Sequence, residues 1–108
     1  MPTASELYKS AETKMFEGEL EQAIELCEQA IQEDENHVLS HLTISNLATK
    51  LGDHDKAIKH GEKACEIEPD DRMNFTALSV TYQKAWAGTQ NGDYIQKAED
   101  AMARANSL

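Results

Sequence analysis

The sequence predicts an all-α fold of three helix-turn-helix units stacked side by side. Three observations lead there. Apolar and small residues recur at three- and four-residue spacing along most of the chain, the mark of amphipathic helices rather than strands. The chain resembles itself when shifted by 34 residues, so that Gly18 falls on Gly52, Ala23 on Ala57, Ile24 on Ile58 and Ala30 on Ala64. Only two prolines and five glycines interrupt its 108 residues, and Gly18, Gly52, Pro69 and Gly92 fall where helices have to stop. This length allows one domain of ordinary size, able to bury a core without covalent staples.

The helices are read in order as about 4–17, 20–34, 38–51, 54–67, 72–87 and 94–106. Thr3 and Glu6 form a capping box at the first start. Gly18, Gly52 and Gly92 sit where a helix must end in a left-handed conformation. Asp53 and Asp93 follow as N-caps of the next helices. Asn36 and Asp71 are placed to open the second and third units, and Pro69 enforces the break before Arg72. The run Glu33-Asp34-Glu35 closes a helix at its C-terminus, where the helix dipole disfavours acids, so it reads as a solvated corner that could also face a basic partner.

The third copy departs from the period. Phe75, Leu78, Ser79 and Tyr82 continue the columns of His41, Ile44, Ser45 and Ala48, but Ala98 falls 41 residues after Ala57 rather than 34. Seven residues are therefore inserted near Trp86–Asn91. Ala23, Ala57 and Ala98 are read as small because the two helices of one hairpin approach closely there. Ala30, Ala64 and Ala105 do the same toward the next hairpin, and a larger side chain at such a contact costs about 1–3 kcal/mol. A single hairpin cannot bury its own face, so at least three are needed.

Composition narrows the function. Ten Lys and Arg stand against twenty Asp and Glu, a net charge of −10, which argues against binding nucleic acid through its phosphates. Residues 1–36 hold Lys9 and Lys14 against ten acids, a charge of −8, and residues 37–108 hold eight bases against ten acids, a charge of −2. The first third is an acidic cap on a nearly neutral remainder. No apolar run approaches the ~18 residues of a membrane span, so no membrane partner is expected. The first residues have neither the basic nor the apolar region of a secretory leader. Cys27 and Cys65 lie inside helical apolar patterns and are read as buried free thiols of a reducing, cytoplasmic compartment, a disulfide between them being the less favoured alternative.

In these columns the sequence resembles the tetratricopeptide repeat, whose pattern runs W…LG…Y…A…F…A…P over 34 residues. The first copy carries it in Leu7, Ala11, Gly18, Ala23, Cys27 and Ala30. The second carries it in His41, Ile44, Ser45, Gly52, Ala57, Gly61, Ala64 and Pro69, and the third in Phe75, Leu78, Ser79, Tyr82, Ala98, Met102 and Ala105. Glu35 replaces a common proline, His41 replaces a common aromatic, and the third copy has its insertion. The resemblance covers nearly the whole chain. It implies one domain with repeats at about 4–37, 38–71 and 72–108, wound into a right-handed superhelix, an α-solenoid. It also implies a protein–protein interaction module with no catalysis of its own. The alternatives are a small chaperone or adaptor that shields an apolar segment of a partner, or a self-associating scaffold.

The resemblance further implies that the first helix of each repeat lines a concave groove for a peptide. The groove positions are then Tyr8 and Glu12 on the first such helix, Leu39, Leu42, Asn46 and Lys50 on the second, and Met73, Val80 and Lys84 on the third. Lys50 and Lys84, joined by Lys9, would form a cationic strip for an acidic peptide, with Tyr8, Leu42, Met73 and Val80 supplying apolar contact. The competing reading leaves the lysines solvated and the apolar residues packed on neighbouring helices. One subtype of the family clamps the C-terminal carboxylate of chaperones with Lys, Asn and Arg. At the matching places this chain has Tyr8, Glu12, Thr43, Met73 and Ala77, so chaperone tails are not expected to bind.

Few residues suggest chemistry. His37 and His41, four apart, could share a metal, but no third ligand is evident, and no metal or cofactor is expected. Cys27 with His54 or His60 would make a nucleophile pair, but Cys27 lies in a packing column. Tyr94, Ile95, Met102 and Leu108 leave an apolar strip at the last helix. It would be covered by more chain, by a second copy in a homo-oligomer, or by the segment Trp86–Asn91 folding back.

Overall fold

The computed structural model describes residues 1–108 and contains six helices and no strand: α1 (Ala4–Phe16), α2 (Leu20–Glu33), α3 (Val38–Lys50), α4 (His54–Ile67), α5 (Arg72–Thr89) and α6 (Asp93–Asn106). Helices α1 and α2, α3 and α4, and α5 and α6 pack as hairpins, and α2 meets α3 as α4 meets α5. The stack is elongated, 42 × 28 × 19 Å. The first helices of the hairpins form one layer. There α3 touches α5, and the Tyr8 hydroxyl lies 3.0 Å from Thr43 Oγ1 on α3. The second helices form the other layer, where Lys56 Nζ of α4 is 3.4 Å from the Glu28 carboxylate of α2.

Local chemistry sets the ends. Thr3 and Glu6 make the reciprocal capping box, the Thr3 hydroxyl accepting from Glu6 N at 3.2 Å and the Glu6 carboxylate from Thr3 N at 3.1 Å. The first two hairpins turn identically. Gly18 and Gly52 have φ of 80° and 81°. The N–H groups of Gly18 and Glu19 reach the carbonyls of Met15 and Lys14, as those of Gly52 and Asp53 reach Thr49 and Ala48. This is the Schellman closure, which satisfies carbonyls the helix end leaves free. Asp53 and Asp71 cap α4 and α5 by accepting from Lys56 N and Met73 N.

The third hairpin differs from its sequence reading. Gly92 is not left-handed: its φ is −62° and it is the N-cap residue of α6. The left-handed stop is Gln90, at φ 63°. Asp93 lies inside α6 rather than capping it, and Asn91 Oδ1 accepts from Asp93 N at 3.1 Å instead. The inserted residues do not fold back; they lengthen α5 to 18 residues. The helix can continue because Ala85 is fully buried and Gly88 brings bare backbone against the ring of His54, where a Cβ would collide. At the second unit His37, not Asn36, is the N-cap residue. The preceding loop is tied instead by Asp34 Oδ1 accepting from Asn36 N and by the carbonyl of Glu35 accepting from His41 Nε2.

The core is built on alanine. Ala23, Ala30, Ala57 and Ala64 are fully buried, and Ala98 and Ala105 nearly so. Small side chains let helix axes approach, and Tyr82 is the one aromatic residue buried among them. One cluster joins Ala11, Ala23, Ile24, Cys27, Ile44 and Leu47; another joins Cys65, Leu78, Tyr82, Ala98 and Ala101. Polar contacts fix hairpin two against hairpin three. The Asn74 amide donates to the carbonyls of Ala64 and Glu68 at the end of α4, and Ser45 Oγ lies 3.3 Å from Thr81 Oγ1. Both cysteines are buried free thiols.

Candidate partner-binding groove

Between α3 and α5 the first-helix layer opens into a trough of about 430 Å³. Leu42, Asn46 and Lys50 line it from α3, and Met73, Val80 and Lys84 from α5. Its floor is Gly61 of α4. A Cβ there would stand 3.1 Å from Leu78 Cδ1 and 3.2 Å from Ser45 Oγ, so the glycine is what lets α5 settle so close to α4. Met73 is 70% exposed and Val80 41%, so the apolar wall is available to a ligand.

Six of the nine residues anticipated from the sequence meet in this trough; Tyr8, Glu12 and Leu39 do not. Tyr8 is half-buried, its hydroxyl turned to Thr43 and its ring 5.5 Å from that of His37, so it holds α1 on α3. Glu12 and Lys9 are exposed on α1, and Leu39 is exposed near the start of α3. Sequence reasoning missed Asn74, and it read Gly61 as a repeat column without placing it in the trough. Asn74 looks like a surface residue until its two carbonyl acceptors are seen, and the tight contact of Gly61 depends on a helix in another hairpin.

The charged residues lining the trough are both lysines, Lys50 and Lys84, in an acidic protein. The ion pairs of the chain are Lys14–Glu17, Lys56–Glu28 and Lys63–Glu66. Neither Lys50 nor Lys84 has a carboxylate within 4.0 Å, although acids outnumber bases twenty to ten. Two free ammonium groups, one on each wall, favour an anionic segment.

A family model described as tetratricopeptide repeat matches residues 16–75, more than half of the chain. The chain belongs to the tetratricopeptide repeat family. Among solved structures it is similar to a crystal structure of the MamA protein, at a TM-score of 0.75 and 20% identity, covering 98% of this chain and 58% of that one. A second crystal structure of MamA gives 0.74 and 20%, covering 98% and 62%. The chain therefore spans about three fifths of those proteins, and the likeness is one of fold. A search of curated protein sequences gave no match.

Elsewhere in these repeats the reactive side chains are engaged in packing. His41 and His60 meet Nδ1 to Nδ1 at 2.9 Å, and His37 Nδ1 lies 2.7 Å from Ser40 Oγ, so His41 pairs with His60 rather than His37. No group of three or more His, Cys, Asp or Glu side chains is placed to hold a metal ion. Burial pushes the thiols of Cys27 and Cys65 up to about 11. The Tyr82 hydroxyl donates to the Glu62 carboxylate, and burial first, then that carboxylate, raises its pKa. No helix is long and apolar enough to cross a membrane.

Proposed function

We propose that the protein is a peptide-binding interaction module whose α3–α5 trough holds an extended segment of a partner protein bearing alternating acidic and apolar residues. Support comes from one arrangement: Lys50 and Lys84, free of carboxylates, stand on the same trough as the exposed Met73 and Val80 and the half-buried Leu42. Exposed charge pairs contribute about 0.2–1 kcal/mol each. The lysines therefore set register and speed encounter, while burial of partner side chains on Leu42, Met73 and Val80 supplies most of the affinity.

The test is a titration of the chain with a short fluorescent peptide alternating leucine and glutamate, read by anisotropy at two salt concentrations. Binding should weaken with salt and fall about tenfold or more in the Lys50→Glu/Lys84→Glu double variant, a loss of ~1.4 kcal/mol. Equal affinity in the folded variant, or equal binding of a leucine–lysine peptide, removes the proposal.

A further inference from the structure

We infer that Phe16 is a further specificity residue of the partner site, an anchor for an aromatic side chain about three residues outside the acids that face Lys50 and Lys84. The inference rests on the trough reading and extends it from two helices to three. The first helices of the hairpins start at Ala4, Val38 and Arg72, each one 34-residue period after the last. Phe16, Lys50 and Lys84 hold the same place in those helices and follow one another at the same period. Lys50 and Lys84 line the trough. The line they form continues onto α1, and there it ends in an aromatic ring instead of a third ammonium.

Phe16 is 97% exposed, more than any other large apolar residue after Met1. A single exposed apolar side chain is ordinary on a protein surface. Phe16 differs because the residues next to it on this line are the two lysines without a carboxylate partner. Its own hairpin makes no use of the ring. Helix α1 is held by other side chains: Leu7 and Ala11 are buried, Met15 packs against the first core cluster, and the Tyr8 hydroxyl meets Thr43 on α3.

Charge and distance choose the occupant. One turn back from Phe16 on α1 stand the exposed Glu12 and Thr13, and Lys14 is held by Glu17 at 3.4 Å. No free cation of α1 lies within a turn of the ring, and Glu12 repels a third acid. A rigid ring instead offers an aromatic partner an edge-to-face or offset-stacked contact, and such anchors carry much of the energy of an interface. Axes of packed helices stand roughly 8–10 Å apart, the span of about three extended residues. The partner segment therefore crosses the first-helix layer with an aromatic residue over α1, an acid about three residues on over α3, and a further acid over α5.

The test compares three fluorescent peptides by anisotropy. All share the leucine–glutamate sequence and have capped ends. One carries a serine three residues beyond the outermost glutamate at each end. In the other two a phenylalanine replaces one of those serines, at one end or the other. One phenylalanine peptide should bind the wild type about fivefold or more tightly than the serine peptide does. Phe16→Ala, with unchanged helical circular dichroism, should abolish that gain. Ile95→Ala, which removes an exposed apolar side chain on α6, should keep it. Lys50→Glu/Lys84→Glu should weaken all three peptides. Suppose the serine peptide binds in the lysine-dependent way while neither phenylalanine adds affinity, or the gain survives in Phe16→Ala or vanishes in Ile95→Ala. The inference is then overturned and the trough reading stands. A serine peptide that does not bind at all overturns both. A two-chain mass in light scattering that Phe16→Ala reduces to one chain assigns the ring to a second copy and also overturns the inference.

Discussion

His41 and His60 join α3 to α4 through a 2.9 Å contact between their Nδ1 atoms, and the Glu35 carbonyl fixes which ring donates. A carbonyl only accepts, so His41 carries its proton on Nε2 and offers Nδ1 as acceptor, and His60 donates from Nδ1. The bond requires His41 to stay neutral. Burial is the main force lowering both pKa values. For His60 the His41 ring, Lys59 and Lys56 add to it and bring the value to about 4; for His41 the Glu35 carbonyl opposes it, while Lys63 and His37 reinforce it.

This pair should make stability fall with acidification. An unfolded histidine titrates near ~6.5 and the folded pair lower, so the unfolded chain takes up protons first as pH drops. The contribution is complete above the unfolded value and is lost as pH falls through about 4 for His60. Between pH 7 and 5 the expected loss is about 1–2 kcal/mol. Urea midpoints at the two pH values measure it. His60→Gln, which can still donate to His41, should flatten the dependence. Identical wild-type midpoints would mean that the pair does not control acid stability.

Gln90 and Gly92 should respond oppositely to the rule that governs Gly18 and Gly52. Gln90 holds a left-handed φ of 63° without being glycine, whereas Gly92, at −62°, needs no such freedom. Gln90→Gly should stabilise by about 0.5–1 kcal/mol. Gly92→Ala should be neutral within about 0.5 kcal/mol, and Gly18→Ala or Gly52→Ala should cost about 1 kcal/mol each. Thermal midpoints of the four variants decide it. A Gly92→Ala cost matching Gly52→Ala would put the left-handed residue where the sequence first suggested.

Cys27 and Cys65 should be slow thiols. Cys27 is fully buried and Cys65 6% exposed, and burial holds both pKa values near 11. At pH 8 the thiolate fraction is on the order of 10⁻³, so a disulfide reagent should react at least about a hundredfold faster after unfolding in urea. Prompt reaction of one thiol in the native protein would reveal local opening of its hairpin.

Most of the fold was legible because its punctuation is local. Gly18, Gly52, Asp53 and Asp71 act through their own backbone or a neighbour's, and the helix ends they set fall within a residue of expectation. Gln90 was illegible because nothing in its side chain favours a left-handed stop; α5 runs on to it because Gly88 finds His54 in another hairpin. Lys50 and Lys84 were legible as trough residues because the 34-residue period superposes them. Tyr8 does not line the α3–α5 trough; its hydroxyl meets Thr43, a contact between hairpins that periodicity does not encode.

Amide chemical-shift mapping of the labelled chain, titrated with the leucine–glutamate peptide, asks where a partner segment sits. Shifts should concentrate at Leu42, Asn46, Lys50, Met73, Val80 and Lys84 and leave α2 and the outer turns of α6 unmoved. Shifts centred on α2 or α6, or none at saturating peptide, would show that the trough is not the binding surface.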